Sequence, residues 1–182
     1  MKSKYNFVRQ FFKNKKMVGA IAPSTKFLGK KMLKNINFNS SKILIELGPG
    51  TGVFTDLIIE QMAKDAQLYV FELNKNFYAN LVERINDPRV KILNDSAENI
   101  EKYIDKEVDV IISSLPLMVF SNELRENVIT TSHKSLKKDG IYLQFQYTLQ
   151  SKKILEKTYD KVDVSFTIKN IPPAFIYSCT KE

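Results

Sequence analysis

The feature that most constrains this chain is the stretch KILIELGPGTGVFT at residues 42–55. It begins with an apolar, β-branched run that predicts a buried strand over 43–47. Gly48, Gly50 and Gly52 follow at alternate positions, and apolar residues then resume with helical spacing. A strand, a glycine turn and a helix N-terminus make a place where backbone approaches a ligand closely. The G-x-G-x-G spacing is neither the dinucleotide fingerprint G-x-G-x-x-G nor a P-loop.

An acidic residue stands at or near the end of each of the first three predicted strands. Glu46 closes the first strand, Glu72 ends a second predicted strand over 67–72, and Asp95 follows a third over 89–93. The carboxyl ends of parallel strands meet at one edge of a sheet, where ligands bind, and an acid ending the second strand can hold both ribose hydroxyls of a nucleoside. The pattern therefore predicts a nucleoside-containing ligand. The alternative is a glycine turn with two surface acids.

The motifs E-L-G-P-G-T-G, F-E and N-D-S resemble motifs I to III of class I S-adenosylmethionine-dependent methyltransferases. The resemblance implies S-adenosylmethionine as the cofactor, with the glycine loop along its methionine part, the second acid on its ribose and the third on its adenine amine. The cofactor-binding residues predicted in this way are Ser24, Glu46, Gly48, Gly50, Thr51, Gly52, Glu72, Leu73, Asp95, Ser96 and Ser114. For Ser24 two interpretations stay open, a cofactor contact or a helix N-cap.

The alternation of strands and helices predicts an α/β fold, a Rossmann-like doubly wound sheet covered by helices on both faces. We expect a mostly parallel, seven-stranded sheet with a final antiparallel hairpin and an N-terminal helical extension. The later strands are predicted at 108–113, 141–147, 162–169 and 174–180, and the helices at 53–63, 75–85, 97–104, 121–136 and 151–157, with a turn at 137–140. The prediction is a single domain over 1–182, with a basic N-terminal segment at 1–38 and a catalytic core at 39–182.

The positive charge of the chain is concentrated at its N-terminal end. The formal net charge is +8, yet residues 1–45 hold eleven Lys and Arg and no acid, so the remainder carries 8 − 11 = −3. This favours an anionic partner bound through basic residues 2–34, either a membrane surface or a nucleic-acid backbone. The predicted helix 4–18, basic with one aromatic face, is typical of an interfacial membrane helix. The alternative is a surface helix that packs its aromatic side chains on the domain.

Other parts of the composition exclude several classes of protein. Cys179 is the single cysteine, so no intrachain disulfide or cysteine-based metal cluster is possible, and we predict no metal site. No apolar run reaches the roughly 18 residues that a membrane-spanning helix needs. No signal peptide is recognised either. We therefore expect a cytoplasmic protein, associated peripherally with the inner face of the cell membrane.

The predicted acceptor loop follows the fourth strand and reads S-S-L-P-L at 113–117. Methyltransferases that act on the exocyclic amines of bases carry N/D-P-P-Y/F or N-L-P-Y here, where the aromatic ring stacks on the base. Leu117 offers no ring, and Ser114 is a weaker amine acceptor than asparagine. The departure counts against a nucleic-acid base as the acceptor.

Together, the motifs resemble those of bacterial phospholipid N-methyltransferases: V-G-A-I-A-P-S, E-L-G-P-G-T-G-V-F-T, S-L-P-L, L-Q-F-Q-Y and N-I-P-P-A-F-I-Y. The family has G-L-P-L and Q-F-T-Y where this chain has S-L-P-L and Q-F-Q-Y. The resemblance implies methylation of phosphatidylethanolamine towards phosphatidylcholine. Ser114, Leu115 and Tyr147 are the predicted catalytic residues, although Tyr147 is equally interpretable as a tyrosine at the core edge. The alternatives are an rRNA adenine N6-methyltransferase, a small-molecule methyltransferase and a non-catalytic binding module.

Overall fold

The computed structural model describes the backbone of residues 22–182 and the side chains of residues 26–182. The predicted helix 4–18 and most of the basic segment 2–34 lie outside the described residues. The side chain of Ser24 also lies outside them, so its two interpretations are both still open.

Seven strands form one sheet, and helices cover both of its faces. The strands are β1 Ile43–Leu47, β2 Gln67–Phe71, β3 Val90–Leu93, β4 Val108–Ser113, β5 Leu136–Gln146, β6 Lys161–Thr167 and β7 Ala174–Thr180. The helices are α1 Ala22–Leu33, α2 Val53–Ile59, α3 Lys75–Arg84, α4 Asn122–Ser135 and α5 Lys152–Thr158. Short 3-10 helices occupy Ala97–Lys102, Leu117–Val119 and Leu149–Ser151.

The strand order is β3-β2-β1-β4-β5-β7-β6. Strands β1 to β5 are parallel, whereas β7 pairs antiparallel with both β5 and β6. The order reverses between β1 and β4, and open α/β sheets bind ligands beyond the strand ends at such a reversal. The predicted fold class, including the final antiparallel hairpin, is confirmed.

The sheet separates two apolar cores. Every residue of β1 is buried, because Leu44 packs towards α1 and α2 while Ile45 and Leu47 pack towards α4 and α5. A strand covered on both faces needs a continuous apolar run, which is the pattern that the sequence shows there. The buried Glu46 interrupts that run and lies next to the glycine turn.

The largest departure from the predicted elements lies at the start of β5. The predicted turn at 137–140 is a bulge within a longer strand, because Leu136 pairs with Val108 and Ile141 pairs with Val110. Asp139 takes a left-handed φ of 61° there. The bulge is anchored by an ion pair of 2.5 Å between Lys137 and Asp109, a contact that no local sequence pattern indicates.

Helix α2 is shorter than the predicted helix 53–63. It ends at Ile59, and the guanidinium of Arg89 donates to the carbonyl groups of Ile59, Met62 and Ala63 at 3.0 to 3.3 Å. These are carbonyl groups at and beyond the end of the helix, which need partners from outside it. The arginine arrives from the loop before β3.

Candidate active site

The glycine turn after β1 uses left-handed backbone at all three glycines. The φ angles are 71° at Gly48, 57° at Gly50 and 82° at Gly52, a region that residues with a Cβ atom avoid. A Cβ atom on Gly48 would lie 2.6 Å from Cδ2 of Leu115 in the acceptor loop. A Cβ atom on Gly50 would meet no atom of the described chain within 4 Å. The turn therefore touches the acceptor loop at its first glycine and borders open space at its second.

The carboxylate of Glu72, just after β2, holds this turn in place. Its Oε2 accepts from the Gly50 N–H at 3.1 Å and its Oε1 accepts from the Asn74 N–H at 2.7 Å. The side-chain amide of Asn94 donates to the carbonyl groups of Glu72 and Leu73 at 2.8 and 3.3 Å. Burial raises the pKa of Glu72 against the lowering effect of these backbone donors. Each carboxylate oxygen keeps acceptor capacity for a further donor.

Glu46 is a fully buried carboxyl group inside β1. The hydroxyl of Thr55 donates to its Oε2 at 2.6 Å, and Oε1 has no hydrogen-bond partner among the described residues. Loss of hydration raises the pKa of Glu46 to about 8, despite the opposing hydrogen bond from Thr55. A buried polar atom without a partner is costly, so such atoms often mark a place where a ligand supplies the missing contact.

Asp95 follows β3 at the same edge of the sheet. Its carboxylate accepts from the Ser96 N–H at 2.6 Å, from the Asn99 side chain at 2.8 Å and from the Tyr103 hydroxyl at 2.7 Å. Burial acts to raise the pKa of Asp95, but these donors outweigh it, so the pKa lies below its ordinary value. Tyr103 also sets its ring edge-on to Phe71, with the ring centroids 5.7 Å apart.

Arg84, which no sequence motif marks, contacts the glycine turn and the helix that follows it. Arg84 of α3 pairs with Asp56 at 2.5 Å and donates to the carbonyl of Thr51 at 3.4 Å. It therefore fixes the first turn of α2 from a neighbouring helix. Arg84 lies 28 residues from Asp56, so no short motif reveals the pair.

The acceptor loop after β4 is anchored through backbone groups. The Ser114 N–H donates to the carbonyl of Leu47 at 2.9 Å. The carbonyl of Leu115 accepts from the side-chain amides of both Gln144 and Gln146 in β5, at 3.1 and 3.0 Å. The N–H of Leu117 also donates to this carbonyl at 2.9 Å, so the acceptor capacity of its two lone pairs is used within the chain.

Tyr147 follows β5 directly and is 42% exposed. Its ring lies edge-on to Phe145 at 5.8 Å. Burial raises the pKa of Tyr147, partly offset by the side chain of Asn170. Asn170 itself is 1% exposed; its amide donates to the carbonyl of Pro172 at 2.7 Å, while its Oδ1 lacks a partner within the described part of the chain.

The structure brings the predicted site residues with described side chains to the carboxyl edge of the sheet. They are Glu46, Gly48, Gly50, Thr51, Gly52, Glu72, Leu73, Asp95, Ser96, Ser114, Leu115 and Tyr147. His133, the single histidine of the chain, instead lies in the last turn of α4, where its ring packs against Tyr159 with a centroid distance of 5.2 Å. That turn leads into the amino end of β5, at the opposite edge.

The similarity of the chain to known proteins shows which class of protein it belongs to. The methyltransferase domain family matches residues 44–140, which is more than half of the chain, and the chain belongs to this family. It is a class I methyltransferase with S-adenosylmethionine as its cofactor. The N-methyltransferase NodS from Bradyrhizobium japonicum, solved with S-adenosyl-L-homocysteine, shares the fold at a TM-score of 0.73 and 11% identity, over 87% of this chain and 88% of that one.

Two curated relatives differ in how much of the chain they resemble. An ornithine lipid N-methyltransferase from Singulisphaera acidiphila is 25% identical over 98% of this chain and 96% of its own length. A ribosomal RNA small subunit methyltransferase A from Ureaplasma parvum is 31% identical over 48% of this chain. This chain spans 34% of the length of that ribosomal RNA enzyme.

The hydrogen-bond acceptors at the carboxyl edge of the sheet fit the donor groups of S-adenosylmethionine. The unpaired Oε1 of Glu46 and the remaining lone pairs of Glu72 are acceptors for ammonium and hydroxyl groups, and the space beside Gly50 admits a ligand close to the backbone. Among the described residues, no group of three or more His, Cys, Asp or Glu side chains is arranged to hold a metal ion. None of the described helices is long and apolar enough to cross a bilayer.

Proposed function

We propose that this methyltransferase transfers methyl groups to the primary amine of a membrane-lipid head group, with phosphatidylethanolamine as the predicted acceptor. Similarity to the ornithine lipid N-methyltransferase over 98% of the chain supports a lipid acceptor. The two candidate lipids share one reacting group, a primary amine on a flexible polar head.

The observation that carries this proposal is the burial of Leu117. Its position in the acceptor loop corresponds to the ring that stacks on a base in base-specific methyltransferases, yet its side chain is 0% exposed and packs in the core. A planar base has no aromatic partner at this position. A small, flexible amine does not need one.

Little chemical assistance is required from the chain. Bound S-adenosylmethionine supplies a methyl group already activated by a positively charged sulfur, so catalysis consists mainly of positioning the acceptor nitrogen in line with that methyl. The nitrogen must be neutral when it attacks, and its proton leaves to water or a nearby acceptor. We assign the orientation of the amine to the hydroxyl groups of Ser114 and Tyr147, because the carbonyl of Leu115 is engaged by Gln144 and Gln146.

We assign the cofactor to the residues at the ends of β1 to β3. Glu72 would accept the ribose hydroxyls, Asp95 with Ser96 would face the adenine, and Glu46 with the glycine turn would meet the methionine part. Ser24 and Thr51 remain proposed contacts.

We further propose that the protein acts at the inner face of the cell membrane, held by basic residues 2–34. The described end of this segment agrees with that role, since Lys26, Lys30 and Lys34 are exposed on and just after α1. Lys31 is exposed as well, and its ammonium donates to the carbonyl of Phe166 at 2.6 Å.

Methylation of ribosomal RNA is the second candidate function. The similarity to ribosomal RNA methyltransferases over about half of the chain and the basic N-terminal segment favour it. The buried Leu117 weighs against it. A small-molecule acceptor would leave the concentration of positive charge in residues 1–45 without a partner.

The test measures methyl transfer from labelled S-adenosylmethionine to vesicles that contain an anionic lipid and either phosphatidylethanolamine or ornithine lipid, with ribosomal RNA in parallel. We expect label in the lipid fraction, reduced at least about 100-fold by Glu72→Gln, because an acceptor for two hydroxyl groups is lost. Glu60→Gln, an exposed acid after α2, is the matched control and should retain activity. Label in RNA alone would refute the lipid acceptor.

A further inference from the structure

The β6–β7 hairpin ends in a tip at residues 168–173 that stands at the same edge of the sheet as the candidate site. Strand β6 ends at Thr167, which pairs with Ala174 at the start of β7. Phe175 of β7 pairs in turn with Gln146, the last residue of β5. The tip therefore extends beyond the carboxyl end of β5, beside the proposed acceptor mouth.

Large apolar side chains are exposed on and around this tip. They are Tyr147, Leu149, Phe166, Ile168 and Ile171, with exposed fractions of 42%, 49%, 50%, 74% and 74%. We call this set the apolar edge. A single exposed apolar residue is common on a protein surface, whereas several grouped beside a functional site mark an interaction surface.

One polar side chain of the tip, that of Asn170, is buried, while the isoleucines on either side of it are exposed. Asn170, which lies between the two isoleucines in sequence, is 1% exposed and donates to the carbonyl of Pro172 at 2.7 Å. The base of the tip is held by Phe166 and Phe175, whose ring centroids lie 4.8 Å apart. Lys169 is exposed, as polar side chains of surface loops usually are, but a buried amide between two exposed isoleucines is the reverse of that arrangement. The isoleucines are thus presented by an ordered turn.

The charge around the apolar edge is positive. The two segments that form it, residues 140–155 and 164–181, contain no Asp or Glu. Lys153 and Lys169 are exposed within them, and Lys152 is exposed as well but pairs at 3.4 Å with Glu156, just beyond the first segment. Exposed apolar side chains flanked by Lys153 and Lys169 match the surface of an anionic phospholipid bilayer, which offers hydrocarbon below a layer of negative charge.

We propose that the apolar edge is a membrane-insertion surface that places the acceptor mouth against an anionic bilayer. Ile168 and Ile171 enter the interfacial region, and the lysines contact the head groups. The inference deepens the proposed function, on which it rests for the choice of a bilayer as the partner. It adds apolar attachment to the proposed attachment through basic residues 2–34, and the two surfaces meet where the ammonium of Lys31 donates to the carbonyl of Phe166.

The absence of tryptophan from the chain allows a direct test. An Ile171→Trp variant of the full chain carries one tryptophan at the tip. With vesicles of phosphatidylglycerol and phosphatidylethanolamine, we expect its emission to shift to the blue and to be quenched by brominated acyl chains. Glu107→Trp is the matched control, exposed before β4 at the opposite edge of the sheet. Glu107→Trp also removes a negative charge, which by itself would favour binding to anionic vesicles. Unchanged tryptophan emission at position 107 is therefore a strict control.

Two results with the Ile171→Trp variant would overturn the proposal. Emission that is unchanged by vesicles while the protein sediments with them would show that another surface makes the contact. Emission that is already blue-shifted without vesicles and insensitive to them would show that another part of the protein covers the tip.

A second variant connects insertion with activity. The double variant Ile168→Ser, Ile171→Ser should bind anionic vesicles roughly tenfold more weakly, because two apolar side chains no longer leave water. Its methylation of lipid in vesicles should fall in proportion, while affinity for S-adenosylmethionine stays unchanged. Val82→Ser, which removes an exposed apolar side chain from α3, should have no effect on vesicle binding. Equal vesicle binding by the wild type and the double variant would refute insertion.

The two proposals fail separately. Lipid methylation with no response at position 171 would leave the lipid acceptor standing and remove the insertion surface. If the tip inserts into vesicles while the label enters RNA alone, the insertion surface stands and the lipid acceptor is refuted.

Discussion

The two halves of the carboxyl edge are built from different chemistry. On the cofactor side, at the ends of β1 to β3, buried carboxyl groups and left-handed glycines are tied together by short hydrogen bonds. On the acceptor side, around β5 and the β6–β7 hairpin, neutral glutamine and asparagine side chains hold the backbone, and apolar residues face outward. The first half is suited to a fixed, charged, nucleoside-containing ligand. The second is suited to a ligand whose polar end lies next to an apolar phase.

The stability of the two halves should also respond differently to pH. A buried carboxyl group without a full set of donors makes the cofactor side sensitive to pH. Amide groups do not titrate, so the hydrogen bonds between β5 and the acceptor loop should be indifferent to pH. Substitutions on the two sides should therefore differ in how their effects depend on pH and in whether they change cofactor affinity.

The largest effect is expected from Glu46→Gln. Burial raises the pKa of Glu46 from 4.5 to about 8, so the folded protein holds this proton more tightly than the unfolded chain does. The resulting stabilisation is complete below pH 4.5 and is lost as the pH rises through 8. In this window the free energy of unfolding should fall by roughly 1.4 kcal/mol per pH unit in the wild type relative to the variant. Urea denaturation at pH 5, 6.5 and 8 measures this difference, and parallel profiles for the two proteins would contradict it.

An intermediate effect is expected where the two halves touch. Gly48→Ala places a Cβ atom 2.6 Å from Leu115 and in left-handed backbone, so the free energy of unfolding should fall by about 2–3 kcal/mol. Gly50→Ala has the backbone cost alone, about 1 kcal/mol, because no described atom lies within 4 Å.

The cofactor affinities of the same two variants test whether the open space beside Gly50 belongs to the cofactor site. Gly50→Ala fills the open space of the turn, so it should weaken S-adenosylmethionine binding in calorimetry by more than its small effect on stability suggests. If Gly50→Ala bound the cofactor as the wild type does, the open space beside Gly50 would not be part of the cofactor site.

The smallest effect is expected from Gln146→Leu. It removes one of the two side-chain donors to the carbonyl of Leu115, at a cost of about 1 kcal/mol in unfolding free energy. The acceptor loop should lose its position, so kcat for methyl transfer should fall several-fold while the dissociation constant of the cofactor stays unchanged. Gln150→Leu, an exposed position after β5, is the matched control. A change in cofactor affinity would mean that the two halves are not independent.

The sequence was most informative where local patterns decide structure. The observed bounds of β1, β4 and β7 are the predicted ones, because each is an apolar or alternating run with clear ends. Glu72 after β2 and Asp95 after β3 were correctly predicted to follow strands, because the apolar runs before them also have clear ends. The glycine turn likewise has a short, local signature.

The sequence was least informative where side chains reach across the fold. The Leu115 carbonyl and its two glutamine donors are 29 and 31 residues apart, and Arg84 meets Asp56 over 28 residues. The bulge at 137–140 also depends on a long-range partner, since Lys137 pairs with Asp109. Such contacts depend on how the strands are ordered in the sheet, and this is not encoded in any short stretch of the chain.

The hydrogen bond from Gly50 to Glu72 has a consequence for the thermodynamics of binding. It joins two groups of the chain itself, and Arg84 and Arg89 fix the two ends of the helix that follows the turn. The glycine turn, which would otherwise be the most mobile backbone of the site, loses its conformational entropy when the protein folds. Association with the cofactor then needs little further ordering of the backbone, and a turn that is rigid beforehand favours tight binding without additional contacts.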